Sequence, residues 1–239
     1  MTPTTQPAPP DPGQVILIDK PLTWTSFDVV KKLRWAGKFK KIGHAGTLDP
    51  LATGLLILCT GKMTKQIDQY QAQEKEYTGT LVLGKTTPSF DLETPFDAEF
   101  DTAGIMPEQV QTAVRQLTGA IDQIPPIYSA IRVNGERLYE KARRGETASQ
   151  VDGGIKSRAV TVSVFEVSLD RFPEIDFRIV CSKGTYVRSL VRDLGLLLNN
   201  GAHMSALRRT RIGDFRVEDA ETIESFLAQH RPPQPDLFV

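Results

Sequence analysis

AVTVSVFEVSLDRFPEIDFRIVCS, residues 159–182, is the stretch that decides the fold class. Its two halves, AVTVSVFEVSL and IDFRIVCS, alternate apolar and polar residues as half-buried strands do, and the turn near Pro173 joins them as a hairpin. KEYTGTLVLG (75–84) alternates too, with Tyr77, Leu81 and Leu83 on one face across a permissive Gly79. VILI (15–18) reads as a further strand. Between the strands lie helices. TSFDVVKKLRWAG has Ser26 as its cap and closes at Gly37, and PEQVQTAVRQLTG (107–119) carries Pro107 in its first turn and Gly119 after its end. TYVRSLVRDLGLLLNNGA (185–202) puts Val187, Leu190, Val191, Leu194 and Leu198 on one stripe, with Arg188 and Arg192 on another face. Strands and helices in mixed order, hairpins included, predict an α+β fold rather than a doubly wound sheet.

The chain has 239 residues, enough to bury the core of one domain. MTPTTQPAPPDPG (1–13), with five prolines, and RPPQPDLFV (231–239) read as disordered tails around a domain at 14–230. No apolar run approaches the roughly 20 residues of a membrane helix and no signal pattern opens the chain, so a cytoplasmic protein without membrane contact is expected. Cys59 and Cys181 lie in apolar strands without C-x-x-C spacing and read as buried free thiols. With only His44, His203 and His230 besides, no metal site is expected. TGKMT resembles the end of a phosphate loop, but Leu56 stands at the first glycine position and Met63 follows the lysine. No internal repeat is present.

Net charge is zero, yet it is unevenly distributed. KKLRWAGKFKK (31–41) carries six basic residues and no acidic one, whereas 86–108 carries six acidic and no basic. Further positive clusters run from Arg132 to Arg144 and from Arg208 to Arg216. A single charge run is ordinarily a solvated face; three basic clusters together favour a polyanionic partner.

GHAGTLDPLATGLLIL (43–58) poses the chemical question, because it places one aspartate between glycines and a proline. Proline disfavours helix for the residue before it, so Asp49 is expected extended at a turn with its side chain projecting. The alternative is a helix cap with Pro50 in the first turn. LLIL (55–58) then reads as a buried strand.

This stretch resembles the catalytic motif of the TruB type of tRNA pseudouridine synthase. The resemblance extends to DKPLTWTSFDVV (19–30), KEYTGTLVLGKTTPSFD (75–91), CSKGTYVRSLVRDLG (181–195) and ALRRTRIGDF (206–215), and IYSAIRVNGERLYEKARRGE (127–146) is similar to the family's RNA-gripping insertion, here spanning about 120–157. It covers roughly residues 14 to 225 in order, and implies a mixed, largely antiparallel sheet flanked by helices. The implied reaction is conversion of uridine 55 in the T-arm of tRNA to pseudouridine. This isomerisation flips the target base out of its stack and uses no cofactor.

Residue by residue, the resemblance makes Asp49 the nucleophilic aspartate, attacking C6 of the base or C1′ of the ribose, or acting as a base through a glycal-like intermediate. Tyr77 matches the tyrosine stacked on the flipped base; alone it would read as a core strand residue. Arg188 matches the arginine paired with the catalytic carboxylate; alone it would read as the surface of an amphipathic helix. Tyr186 and Leu207 match pocket residues, and His44 a loop histidine that helps displace the base. Lys20 supports the loop or contacts phosphate, and Asp91 matches an aspartate near the site.

TTPSFDLET departs from the more acidic run common in the family, which bears on the contacts of Asp91. Many members also continue into a C-terminal PUA-type domain beyond the region reached here, so a short form gripping tRNA by its catalytic domain and insertion is expected. The expected enzyme works on free tRNA as a monomer, without guide RNA or protein partner. An RNA chaperone and a guide-dependent catalytic subunit are the competing readings. The intact Asp49, Tyr77 and Arg188 weigh against the first, and the 127–146 insertion and missing C-terminal domain against the second.

Overall fold

The computed structural model describes residues 12–230. Apart from residues 12 and 13, the tails expected at 1–13 and 231–239 lie outside the described residues. The described residues divide into two compact units, the first formed by those up to Ala72 together with those from Ile212 onward, the second by Gln73–Arg211.

The first unit opens with strand β1 (Val15–Lys20), helix α1 (Ser26–Ala36), the short β2 (Ile42–His44), β3 (Ala52–Thr60) and α2 (Ile67–Ala72). β1 and β2 both run antiparallel to β3, with Ile18 opposite Leu56 and His44 opposite Leu58. β3 is buried on both faces, which explains why it reads as a continuous apolar run rather than an alternating one. Leu56 and Leu58 pack with Val29, Val30 and Leu33 of α1, while Leu55, Ile57 and Cys59 pack with Ala45 and Val217 on the other side. The helix cap falls one residue earlier than expected. Thr25, not Ser26, caps α1: its hydroxyl accepts the Asp28 N–H, and the Asp28 carboxylate accepts the Thr25 N–H, both at 3.0 Å. This reciprocal pair is the capping box.

The second unit contains β4 (Lys75–Leu83), β5 (Lys85–Thr86), β6 (Ala98–Glu99), α3 (Pro107–Gln116), β7 (Gly119–Gln123), β8 (Arg132–Val133), β9 (Glu136–Arg137), α4 (Leu138–Arg143), β10 (Arg158–Arg171), β11 (Glu174–Cys181), α5 (Val187–Leu197) and β12 (Ala202–Ile212). The chain then re-enters the first unit with β13 (Phe215–Arg216) and α6 (Ile223–Gln229). The sheet of the second unit runs β12-β4-β11-β10-β7. Its pairs β4–β11, β10–β11 and β7–β10 are antiparallel, so the chain has the α+β architecture, with a largely antiparallel sheet flanked by helices. β10 and β11 form the expected hairpin. One detail departs from strict alternation: the register slips between Val162 and Val164, a β-bulge that moves the buried series from Val160 and Val162 to Phe165.

Gly79 is needed in β4 for close approach. A Cβ there would lie 2.3 Å from the Ala206 carbonyl oxygen and 2.6 Å from the Phe177 ring, so any side chain would force the strands apart. The insertion has a small core of its own, formed by Ile127, Leu138, Ala142 and Val151.

Candidate active site

In the first unit the site is built around the loop that carries Asp49. No helix begins there, which removes the cap alternative. The Ala52 N–H donates to the Asp49 carbonyl at 3.0 Å, closing a tight turn with Pro50 and Leu51 at its centre that leads directly into β3. Asp49 is half-buried.

Two side chains from distant positions fix the backbone on either side of it. Ser26, the first residue of α1, is turned inward and 2% exposed; its Oγ accepts the Leu48 N–H at 2.9 Å and donates to the Leu48 carbonyl at 3.2 Å. Lys20 is fully buried, and its Nζ donates to the carbonyls of Pro21 (2.9 Å), Trp24 (2.6 Å) and Pro50 (3.4 Å). The Thr23 N–H adds a bond to Pro50 O at 2.8 Å. The residues before and after Asp49 are thus held by partners outside the loop, so the carboxylate starts from a constrained backbone rather than a mobile one. His44 lies at the end of β2, immediately before this loop.

Ser26→Ala tests that arrangement. It would strand two buried polar groups of Leu48, a loss of about 1–3 kcal/mol. The thermal unfolding midpoint should fall by roughly 2–12 °C for a chain of this size.

In the second unit, Tyr77 lies on the buried face of β4, opposite Ile179 of β11, with Leu81 and Leu83 further along the same face. Lys75 shares that face two residues earlier. Burial, with the positive charge of Arg209 adding to it, pulls its ammonium down to about 8. The Cys181 thiol opposite Lys75 is pushed up to about 11 by burial.

Arg188 and Asp91 are brought together. Both side chains are almost fully buried, and Arg188 Nε lies 3.6 Å from Asp91 Oδ2. The guanidinium also donates to Ser89 O at 3.2 Å and Tyr128 O at 2.9 Å. Asp91 in turn accepts the Glu93 N–H at 2.9 Å, and its own carbonyl accepts the hydroxyls of Thr87 (2.6 Å) and Ser89 (3.2 Å). Helical periodicity puts Arg188 on the solvent side of α5; the structure corrects this, because a charged group 4% exposed is tolerable only with such a set of acceptors. Phe90, just before Asp91, has φ of 63°, a strained value for a bulky residue that marks the loop as over-determined by its surroundings.

Tyr186 precedes α5. Buried Gln123 clamps it, Oε1 accepting the Tyr186 N–H at 2.8 Å and Nε2 donating to the Tyr186 carbonyl at 3.1 Å, while the Arg158 guanidinium lies 5.8 Å from the Tyr186 ring centroid. Leu207 is buried in β12. Ser26 and Gln123 are supports that sequence reading missed. Each is a polar residue whose partner is far away in the chain, and only Ser26, in TSFDVV, left a local signal, which pointed to a cap.

Among the described residues no cluster of metal-ligating side chains occurs and no helix is long and apolar enough to cross a membrane.

Residues 34–187 match the TruB family pseudouridylate synthase N-terminal domain, and residues 188–232 match the tRNA pseudouridylate synthase B C-terminal domain. The chain belongs to the TruB family. Relatives in that family include tRNA pseudouridine synthase B of Flavobacterium johnsoniae, 54% identical over 90% of this chain and 94% of its own length, and that of Phocaeicola vulgatus, 50% identical over 90% and 92%. Among solved structures, a chain of a Cbf5–Nop10–Gar1 complex superposes with a TM-score of 0.68 at 29% identity over 90% of this chain. The present TruB-family chain spans about half of that longer one, 53%.

Proposed function

We propose that this protein isomerises a uridine of tRNA, position 55 in the T-arm, to pseudouridine, with Asp49 as the catalytic carboxylate. The observation that carries the reading is the loop around Asp49, pinned by the buried Ser26 hydroxyl on one side and the buried Lys20 ammonium on the other. Relatives about half identical over nine-tenths of the chain, named tRNA pseudouridine synthase B, support the substrate class.

The reaction breaks the bond from N1 to C1′, turns the uracil, and joins C5 to C1′, with the C5 proton lost and N1 reprotonated. Atoms and electrons balance without an oxidant, a hydrolytic water or a cofactor. Asp49 supplies the nucleophile or base, Tyr77 a ring for the flipped base with its hydroxyl near C5, and Tyr186 and Leu207 the pocket wall. His44 assists in displacing the base. Arg188 is the charge partner that the family resemblance assigns to Asp49, and Asp91 holds that guanidinium in place. For Lys20, complete burial with three backbone carbonyls on its ammonium favours loop support over phosphate contact.

The test is to incubate the protein alone with an unmodified tRNA transcript and map pseudouridine. Product at position 55 is expected; a transcript that is bound but never modified would leave only RNA binding. Tyr77→Phe keeps the ring and loses the hydroxyl. Affinity for tRNA should therefore hold while turnover falls by about 10²-fold. A rate within a few-fold of wild type would assign the residue to stacking alone.

A further inference from the structure

The basic segment 31–41 has no part in the chemistry proposed around Asp49. Phe27, Lys31 and Trp35 follow at four-residue spacing and share one outward stripe of α1, opposite the buried Val29, Val30 and Leu33. Trp35 is 80% exposed and Phe27 69%, and Lys31, Lys32, Arg34 and Lys38 around them are exposed as well. Lys31, Lys32, Arg34, Trp35 and Lys38, but not Phe27, border an open groove of about 1040 Å³ that Trp24 and Phe39 also line. Asp28 is the acid in its lining, and its carboxylate is engaged by the Thr25 N–H and hydroxyl.

Two facts separate this face from an ordinary solvated one. First, none of its cations has a carboxylate at ion-pair distance among the described residues, whereas in the insertion, whose sequence makes it the expected grip, two of the five cations between Arg132 and Arg144 are held in ion pairs. There Lys141 pairs with Glu136 at 3.4 Å and Glu146 at 3.3 Å, Arg144 pairs with the same two glutamates, and Arg143 lies over the Tyr139 ring. Second, a tryptophan left exposed among cations loses apolar burial with no intramolecular gain; such a ring beside positive charge is what a polynucleotide uses, the ring for stacking and the cations for phosphates.

We propose that the outward face of α1 and the loop after it form a second RNA contact, holding the sugar–phosphate backbone and one unpaired base of the substrate outside the target loop. The proposal rests on tRNA being the substrate. Position supports it: the first turn of α1 holds the Asp49 loop through Ser26, so this helix, about 15 Å long, begins next to that loop.

The experiment compares Lys31→Ala/Lys32→Ala/Lys38→Ala with wild type for tRNA affinity across a salt series, for turnover at saturating tRNA, and for self-association by sedimentation. Each lost phosphate contact lowers the log-log salt slope by roughly 0.7–0.9, so the triple variant should lose about 2 units while saturated turnover stays within about twofold. Trp35→Ala should weaken binding by about 5- to 100-fold with little change in slope. Arg143→Ala/Arg144→Ala serves as the contrast and should change the slope by less than about 1 unit. Unchanged affinity and slope in the triple variant would overturn the proposal, and a change confined to self-association would give the face to a second copy of the chain. The pseudouridine assay on wild type separates the failures: product with an unaltered salt slope in the variant removes this contact alone, whereas a lowered slope without product removes the catalytic reading and keeps the contact.

Discussion

Asp49→Asn is expected to abolish pseudouridine formation, by at least about 10³-fold, while tRNA affinity stays within a few-fold of wild type. The amide is nearly isosteric, accepts at one oxygen and leaves the Asp49 backbone bond to Ala52 untouched, so the turn has no reason to reopen. It lacks the charge needed to attack carbon or take a proton. Asp49→Glu should also be severely impaired, for a different reason. The loop backbone is held by Ser26 and Lys20, so it has little freedom to retreat by the length of one methylene, and a displacement of about 1 Å can lose about 10² in rate. Product mapping under single-turnover conditions, paired with a binding isotherm for each variant, checks both. A glutamate variant with near-normal rate would show that the loop yields, and an active asparagine variant would remove Asp49 from the chemistry.

How far this site could be read from sequence follows from the range of its interactions. The β10–β11 hairpin and the buried β3 were legible because alternation and a continuous apolar run are local properties of the backbone. The bulge at Val162–Val164 was not, since a register slip is decided by the partner strand. The turn at Asp49 was legible because the Asp-Pro pair is local chemistry. Its supports were not: the Ser26 hydroxyl reaches Leu48 and the Lys20 ammonium reaches Pro50, and neither distance can be inferred from spacing. Arg188 shows the limit most plainly. Periodicity put it on the polar side of α5, and burial beside Asp91 reverses that reading, because the partners that make it tolerable come from the loops at 89–91 and 128. The ion pairs of the insertion were likewise not legible, as counting its cations leaves out that Glu136 and Glu146 bind two of them.

The Arg188–Asp91 pair gives the second large effect, and here stability and catalysis can be separated. Arg188→Met leaves the Asp91 carboxylate buried without its cation, and removing one partner of such a pair destabilises a fold by about 3–5 kcal/mol. Unfolding should shift down by roughly 6–20 °C, and turnover should fall below detection. Turnover alone cannot tell a damaged fold from a lost charge. Asp91→Asn is the complementary change: it keeps an acceptor for the Glu93 N–H and leaves Arg188 bonded to the Ser89 and Tyr128 carbonyls, but with an excess buried positive charge. In the double variant, Arg188→Met/Asp91→Asn, neither charge remains. Because the penalty comes from the unpaired partner rather than from the loss of the pair itself, the double variant should recover about half or more of the stability lost by Arg188→Met. If Arg188 is the charge partner proposed for Asp49, activity should stay as low as that of Arg188→Met, since that cation is still missing. Denaturation midpoints and single-turnover rates across the four proteins of this cycle measure the two effects independently. Recovery of rate together with stability would make Arg188 a structural residue only, and failure to recover stability would mean that the bonds to Ser89 and Tyr128, not the charge pair, hold α5 to its loops.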